Sequence, residues 1–332
     1  MSRKLIFVIC ILLVSCARRE QQVVIYTSLD QMLSEPVLRE FEQKSGIKVK
    51  AVYDTEASKT TGLVNRLIAE KDYPKADVFW NSEICRTILL KEKGLLARYR
   101  SAAAEDIPEE FKDAEGYWTG FAARLRVLVY NTNLVARDEV PQSIFELTQP
   151  KWKGHVALAN PLFGTTATHM AALFVHLGPP KAKEYLRALK ANGVIIVEGN
   201  STVRDRVADG EVKIGFTDTD DVTVAIRSGK PVKMIFPDQD AVGTLLIPNT
   251  IALIKGAPRP DNGKKLIDYL LSREVEESLA QLDSAQIPVR DGLKAPTALP
   301  SLRSIRVQKL DYSAMVKQLN ATTDFCRELF LR

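Results

Sequence analysis

The sequence predicts an α/β protein built from two lobes, and three observations support this prediction. The chain has 332 residues, which exceeds the length of about 250–300 residues at which a single hydrophobic core stops growing. Its first part alternates strand, helix, strand, helix and strand, the pattern typical of a parallel sheet flanked by helices. The same alternation returns after one long apolar strand that begins near residue 124.

The opening βαβαβ unit lies between residues 23 and 82. A buried strand is predicted by the β-branched run VVIYTSL. An amphipathic helix follows in SEPVLREFEQKSGI, with Ser34 as its N-cap, Pro36 in its first turn and Gly46 as its stop. Two more strands are predicted by KVKAVYD and ADVFWNS, and a second helix is predicted between them by SKTTGLVNRLIAEKDYP.

The second half begins with a long strand, RLRVLVYNT, which is predicted to carry the chain from one lobe to the other. A strand in GHVALANP, helices at 167–177 and 180–192, and the strand GVIIVEG follow, and then the helix TVRDRVADGE and the strand KIGFT. A pair of strands returning toward the first lobe is predicted in AVGTLLIPNTIALIKGA, before two closing helices. Two lobes joined by several crossings indicate a hinged ligand trap.

Composition and motifs narrow the function. The chain is 45% hydrophobic and 26% charged, as in ordinary globular proteins. Its net charge of +5 is small against 46 basic and 41 acidic residues, and without a basic stripe or motif no nucleic-acid partner is predicted. Because no nucleophile elbow, P-loop, HExxH or dinucleotide loop is present, we expect a binding protein rather than an enzyme. A metal-dependent phosphate-ester hydrolase and a ligand-responsive sensor are the alternatives.

The N-terminus has the pattern of an export signal. Arg3 and Lys4 precede an apolar run at residues 5–14, which is too short to span a membrane permanently. The ending LVSC resembles a bacterial lipobox, in which Cys16 would become lipidated and hold the protein at a membrane surface. An ordinary cleaved signal is the alternative. Beyond it, Cys85 and Cys326 are either a disulfide pair or buried free thiols.

Several segments, in order, resemble one known family. They include ADVFWNSE, KGLLARY, GFAARLRVLVYNT, LTQPKWKGHVALANP and EGNSTVRDRVADGEVKIGFTDTDD. The chain resembles the periplasmic ferric-ion-binding family, the substrate-binding proteins of bacterial ABC importers with the type II periplasmic-binding fold. The resemblance implies a lipoprotein signal at 1–16 and a tether at 17–22. It also implies a first lobe from 23–123 and 250–300, and a second from 124–249 and 301–332, each a mixed sheet flanked by helices.

The resemblance also implies a set of cation ligands. In that family, iron is held by a His after the first strand, a Glu after the third, and two adjacent tyrosines after the last strand of the second lobe. The corresponding positions here are Asp30, then Ser82 or Glu83, then Asp220 and Asp221. Four carboxylates suit a hard cation such as Fe³⁺, Ca²⁺, Mn²⁺ or Mg²⁺, or an organic ammonium. Helix capping and ion pairs with Arg or Lys are the alternative roles.

A second set of residues is predicted to bind an oxyanion, namely Arg124, Arg126, Gly164, Thr165, Thr166, Asn200, Ser201 and Asp218. Residues 164–166 directly precede a predicted helix, where free N–H groups and the helix dipole favour an anion. Asn200 matches an anion-contacting Asn of the family. Arg124 and Arg126 lie two apart on one strand and so share a face, and guanidinium groups bind carboxylate, carbonate or phosphate. Helix caps and acid partners are the alternatives.

The sequence therefore predicts an extracytoplasmic, membrane-anchored monomer that captures a solute for an ABC permease in the inner membrane. The first choice of ligand is ferric iron or another hard metal ion, bound together with carbonate or phosphate. A phosphorylated or cationic organic solute is the alternative, since relatives with this fold carry hexose phosphates, phosphonates, thiamine and polyamines. No catalytic residue or catalytic cofactor is predicted.

Overall fold

A computed structural model describes residues 21–55, 59–297 and 299–331. The strands are β1 Gln22–Thr27, β2 Lys48–Tyr53, β3 Val78–Asn81, β4 Leu96–Ala97, β5 Thr119–Asn131, β6 Val156–Ala159, β7 Ile195–Val197, β8 Ile214–Asp218, β9 Val232–Ile235 and β10 Leu246–Ile254. The helices are α1 Gln31–Ser45, α2 Thr61–Ala69, α3 Cys85–Glu92, α4 Gly164–Leu177, α5 Pro179–Ala191, α6 Asn200–Ala208, α7 Thr219–Arg227, α8 Pro260–Leu270, α9 Arg273–Gln281 and α10 Tyr312–Phe330. The predicted signal and the lipidation site Cys16 lie outside the described residues.

The strands form one continuous path in the order β2-β1-β3-β10-β5-β8-β6-β7, with β4 beside β10 and β9 beside β5. In the first half, β1 pairs in parallel with β2 and β3, as the βαβαβ prediction requires. In the second half, β6 pairs in parallel with β7 and β8. The carboxyl ends of β1, β3, β6 and β8 therefore meet near the middle of the molecule, where ligands bind in open α/β sheets.

Strand β5 connects the two halves. Its residues 119–125 pair with β10, whereas residues 126–130 pair with β8 and residues 128–131 pair with β9. All 13 residues of β5 are buried, because β8, β9 and β10 pair with it and α6, α7 and α9 pack against it. The change of partner strand lies close to the predicted limit between residues 123 and 124. The full set of lobe limits stays a prediction.

One apolar cluster runs through both halves, because it includes Ile25 and Leu266 of the first half and Val129 and Val203 of the second. Another cluster, which includes Leu128 and Phe216, lies in the second half. Fully burying each such side chain contributes about 1.5–3 kcal/mol. Helix α10 contacts α4 and α5 in the second half but also α3 in the first. It therefore bridges the two halves, and its assignment to the second lobe alone does not describe its packing.

Local predictions mostly agree with the structure, with two corrections. Gly46 ends α1 with φ 69°, and its N–H donates to the Glu42 carbonyl at 2.9 Å, as the stop signal predicted. However, α1 begins at Gln31, so Ser34 is not the N-cap; its hydroxyl donates to the Asp30 carbonyl one turn back. The predicted strand pair near residue 250 is instead the single strand β10, which pairs with β3 and β5 on its two sides.

Cys85 and Cys326 are both free and buried. Of the two alternatives that the sequence left open, the structure therefore supports buried free thiols rather than a disulfide. Burial raises the pKa of both thiols, so neither is a reactive thiolate at neutral pH. Within the described part of the chain, no helix is long and apolar enough to cross a membrane.

Candidate functional site

A small polar cavity of about 40 Å³ lies between the two halves. Its walls are formed by Leu29, Asp30, Lys59, Ser82, Arg124, Gly164, Thr165, Asn200, Asp218, Asp220 and Asp221. The first four of these residues follow β1, β2 and β3. Most of the others belong to β8 and to the first turns of α4, α6 and α7. The cavity thus occupies the crevice at the carboxyl ends of the strands, where the sequence predicted a ligand.

The acidic step FTDTDD forms one wall of this cavity. Strand β8 ends at Asp218 and α7 begins at Thr219, which places Asp220 and Asp221 in the first turn of a helix. Carboxylates are favoured there because the helix N-terminus carries a partial positive charge. One oxygen from each of Asp218, Asp220 and Asp221 lies within 4.8 Å of the others. Of the four predicted cation ligands, Asp220 and Asp221 therefore lie together, and the acid beside them is Asp218, which the sequence had placed in the anion-binding set.

The crowding changes how readily these acids ionise. Burial raises the pKa of Asp220, the repulsion of Asp218 and Asp30 adds to that effect, and Arg124 opposes it. The pKa of Asp221 lies well above its ordinary value because of burial and the nearby charges of Asp220 and Asp218. A proton or a bound cation would therefore stabilise both of these carboxyl groups.

Asp218 is already bound by a buried arginine. Its Oδ1 accepts a hydrogen bond from Arg126 Nη1 at 2.8 Å, and its Oδ2 accepts from the Thr165 hydroxyl at 2.6 Å and from Asn200 Nδ2 at 2.9 Å. Arg126 also donates to Asn200 and Thr166 and is fully buried. Within this group of residues, the positive charge of Arg126 compensates the negative charge of Asp218. Arg126, Thr165 and Asn200, which were predicted to bind an anion, thus bind the carboxylate of Asp218.

Arg124 is likewise engaged with internal partners. Its Nε donates to Asp220 Oδ2 at 3.0 Å and its Nη2 donates to Asn249 Oδ1 at 2.9 Å, while Nη1 donates to the carbonyl of Ser82. Burial opposes its positive charge, but Asp220 and Asp218 outweigh that effect and raise the pKa of Arg124. The guanidinium therefore links the first half, through Ser82, to the acidic wall of the second half.

The remaining acid of the cavity pairs with a lysine that sequence reasoning missed. Lys59 Nζ lies 2.7 Å from Asp30 Oδ1, and the Lys59 carbonyl accepts the N–H of Gly164 at 3.2 Å. Lys59 precedes α2 in a short polar segment after β2. Its position just beyond the carboxyl end of a strand is the one sequence signal that pointed toward the cleft.

Glu83 is not part of the acidic cavity. Its carboxylate is fully buried and accepts the backbone N–H groups of Cys85 at 2.7 Å and Arg86 at 3.0 Å, together with the Thr168 hydroxyl at 2.6 Å. Glu83 thus caps the start of α3 and joins it to α4. The structure does not bring it together with Asp30, Asp220 and Asp221, because its oxygens are used by the helix end beside it.

The predicted oxyanion residues divide into two groups. Gly164, Thr165 and Asn200 line the cavity, whereas Thr166 lies behind it and is contacted by Arg126. Ser201 follows Asn200 in the first turn of α6 and is not one of the lining residues. Helix α4 begins at Gly164, three residues earlier than predicted, so residues 164–166 form its first turn instead of preceding it.

The structure describes residues 21–55, 59–297 and 299–331, and no tyrosine among them lines the cavity. The Tyr26 hydroxyl donates to Glu70 at 2.9 Å, and burial together with that carboxylate raises its pKa to about 12. The negatively charged oxygen ligands that line the cavity are carboxylates, and hard cations prefer such ligands.

Comparisons with known proteins find relatives whose names refer to different solutes. A family model described as "Bacterial extracellular solute-binding protein" matches residues 37–302. "Iron uptake protein A1" from Synechocystis sp. is 26% identical over 284 residues, which cover 82% of this chain and 77% of that protein. A "Putative 2-aminoethylphosphonate-binding periplasmic protein" from Salmonella typhi is 30% identical over 232 residues, or 69% of this chain and 66% of that protein.

A solved structure shows the same architecture. The crystal structure of iron-bound HitA from Pseudomonas aeruginosa superposes with a TM-score of 0.84 at 24% identity, and the match covers 93% of this chain and 99% of that one. The comparison confirms the predicted fold class, an α/β protein with the two-lobed type II periplasmic-binding fold.

Proposed function

Because the chain belongs to the family of bacterial extracellular solute-binding proteins, we propose that it is the capture component of an ABC importer. Proteins of this family bind a small solute and deliver it to a membrane permease. The cavity between two halves of an α/β fold supports this role, since hinge closure around a ligand is common in this architecture. The export-signal pattern and the LVSC motif support an extracytoplasmic protein that is anchored through a lipid on Cys16.

The proposed solute is a hard metal cation, with ferric iron as the first choice. The observation that carries this choice is the cluster of Asp218, Asp220 and Asp221, whose oxygens lie within 4.8 Å of one another. Asp30 lines the same cavity from the first half. Several carboxylate oxygens from both halves would bind a hard cation and favour closure around it. The relative named for iron uptake in Synechocystis supports iron in particular.

The proposal includes a small oxyanion, carbonate or phosphate, beside the metal. Gly164 and Thr165 line the cavity at the N-terminus of α4, where the helix dipole favours negative charge. The Thr165 hydroxyl adds a polar group at the same wall. Carbonate or phosphate would offset part of the charge of a trivalent cation. The arginines Arg124 and Arg126 contribute through the acids that they hold in place.

Elemental analysis combined with native mass spectrometry of protein purified from its own membrane tests this function. We expect iron or another hard metal to accompany the chain. Fe³⁺ should raise the melting temperature of the wild type, and the double variant Asp220→Asn/Asp221→Asn should lose that stabilisation. The control is Asp261→Asn/Asp324→Asn, which changes two exposed helical acids, each paired with a cation three residues away. Equal stabilisation of all three proteins would contradict the proposed ligands.

The colour of the loaded protein provides a second check. Phenolate ligands give ferric complexes a strong visible charge-transfer band, whereas carboxylates do not. Since no described tyrosine lines the cavity, the Fe³⁺ complex should show no intense band in the visible spectrum. A red iron-loaded protein would show that a phenolate has entered the ligand set.

A zwitterionic organic solute is the second candidate. The cavity combines acids with Lys59 and the N-terminus of α4, so it offers one place for an ammonium group and another for a phosphate or phosphonate. The relative from Salmonella typhi supports this class. Calorimetric titration with 2-aminoethylphosphonate in the presence of a metal chelator separates the candidates. Tight binding under those conditions would favour the organic solute.

A further inference from the structure

Lys59 is a basic side chain in a cavity that several acids line. Its ammonium group lies 2.7 Å from Asp30 and lines the cavity that also contains Asp218, Asp220 and Asp221. The residues that line this cavity comprise four acids and two basic side chains, Arg124 and Lys59. The lysine therefore compensates negative charge at the position where a cationic solute would act.

The backbone of Lys59 is held in place by its neighbours. Its carbonyl accepts the Gly164 N–H at the start of α4. The next residue, Thr60, is fully buried with φ +73°, a conformation that β-branched residues rarely adopt. Such a conformation persists only where the surrounding structure enforces it, and it is found most often at functional sites. The flexible four-carbon stem of lysine allows the ammonium to move while this backbone stays in place.

We propose that Lys59 is a tethered counter-cation of the empty cleft, which a bound metal cation displaces from the carboxylates. This inference rests on the proposed metal-binding function and adds a determinant of specificity to it. A tethered positive charge lowers the affinity of the site for every cation. It lowers the affinity for a trivalent cation more than for a divalent one, because Coulomb repulsion is proportional to charge. Lys59 would thus limit the affinity of the site and keep it reversible.

Metal titrations of Lys59→Met test the displacement. We expect the variant to bind Ca²⁺ on the order of tenfold more tightly than the wild type, and Fe³⁺ supplied from a nitrilotriacetate buffer to gain more than Ca²⁺. Lys59→Arg should keep wild-type affinities, because its charge is retained. Lys264→Met is the control, since Lys264 pairs with Asp261 on α8 and lines no part of the cavity. Unchanged or weaker metal binding by Lys59→Met would overturn the proposal.

A second measurement needs no ligand. Lys59→Met should lower the stability of the metal-free protein in urea unfolding, because the acids lose a compensating charge. The loss should be smaller when Asp221→Asn is already present, which a double-mutant cycle measures. Additive effects would overturn the counter-cation role. If neither the wild type nor Lys59→Met binds Fe³⁺ or Ca²⁺, the proposed function fails, and the cycle alone decides whether Lys59 compensates the acids.

Discussion

At the level of single residues, three of the four acids that line the cleft already have a cation beside them. The pairs are Asp218 with Arg126, Asp220 with Arg124, and Asp30 with Lys59. Asp221 is the exception, because the guanidinium nearest to it, that of Arg204, is 3.9 Å away. Its Oδ2 accepts a hydrogen bond from a neutral hydroxyl, that of Thr217, at 3.1 Å. Asp221 is therefore the acid whose charge a solute would compensate most directly.

This isolation predicts the effect of Asp221→Asn on stability. Burial and the neighbouring acids raise the pKa of Asp221 in the folded protein. A group with a raised folded-state pKa favours folding at low pH, and that contribution is lost as the pH rises through the folded-state pKa. Removing the acid should therefore make the metal-free protein more stable than the wild type at pH 7. The difference should vanish as the pH falls below about 4, the ordinary carboxyl pKa.

Thermal unfolding of both proteins at several pH values measures this effect. Asp205→Asn is a suitable control, because Asp205 is exposed beside Arg204 on α6. A stability difference that is constant from pH 4 to pH 8 would show that Asp221 ionises normally. In that case the acids would not repel one another strongly enough to need a cationic solute.

At the level of secondary-structure elements, the contact between α6 and β8 sets the geometry of the cavity. Gly215 of β8 lies directly beneath α6, and a Cβ at this position would come within 3.0 Å of Val207 and closer still to Val203. The close approach places Asn200, the first residue of α6, near Asp218 at the end of β8. Because Gly215 has no side chain, α6 can pack close enough to β8 for Asn200 to contact Asp218.

We therefore expect Gly215→Ala to disturb both stability and binding. The added methyl group must move α6 away from the sheet, at a cost of about 1–3 kcal/mol, the usual range for overpacking a core. Asn200 should move with the helix, so the affinity for Fe³⁺ should fall as well. Urea unfolding and metal titration measure the two effects. The double variant Gly215→Ala/Val203→Ala is the control, because it removes the side-chain atom closest to the added Cβ and should recover part of the lost stability. Wild-type stability of Gly215→Ala would contradict this account.

At the level of the whole molecule, hydrogen bonds join the two halves around the cavity. The Thr168 hydroxyl of α4 donates to Glu83 at 2.6 Å, and Arg86 of α3 donates to the Leu162 carbonyl at 2.8 Å. Both pairs are buried. Together with the contact between Lys59 and Gly164, they hold the halves close enough to leave a cavity of only about 40 Å³. Exchange of a solute would require the halves to separate.

Thr168→Val should favour that separation. The substitution removes a hydrogen bond to a buried carboxylate, and such bonds contribute about 1.5–3 kcal/mol, so solute release should become faster by about tenfold or more. Small-angle scattering should show a larger radius of gyration for the metal-free variant than for the wild type. Thr323→Val serves as the control, because its hydroxyl bonds within α10 to Leu319. Identical scattering and release rates would show that Glu83 and Thr168 do not hold the halves together.

Sequence alone could predict most of the fold but only part of the site. Periodicity, caps and breakers are local, so β1, α1 and the βαβαβ opening were readable from their own residues. The single strand β10 was misread as a pair, because an apolar run does not reveal how many neighbours it pairs with. Asp220 and Asp221 could be predicted as neighbours in the cleft because they are adjacent in one short segment, whereas Asp218 was expected to bind an anion and instead pairs with Arg126.

The sequence by itself determined the fold class, the family and the acidic step in the cleft. Only the tertiary structure decided the roles of Glu83, Arg126 and Lys59, because hydrogen bonds between residues far apart in the chain set those roles. Glu83 was predicted as a ligand but caps α3 and contacts Thr168, 85 residues away. Lys59 has no motif around it, and it reaches the cavity because the ends of β1 and β2 meet there. The net charge that the cleft presents to a solute therefore depends on which side chains the tertiary structure brings together.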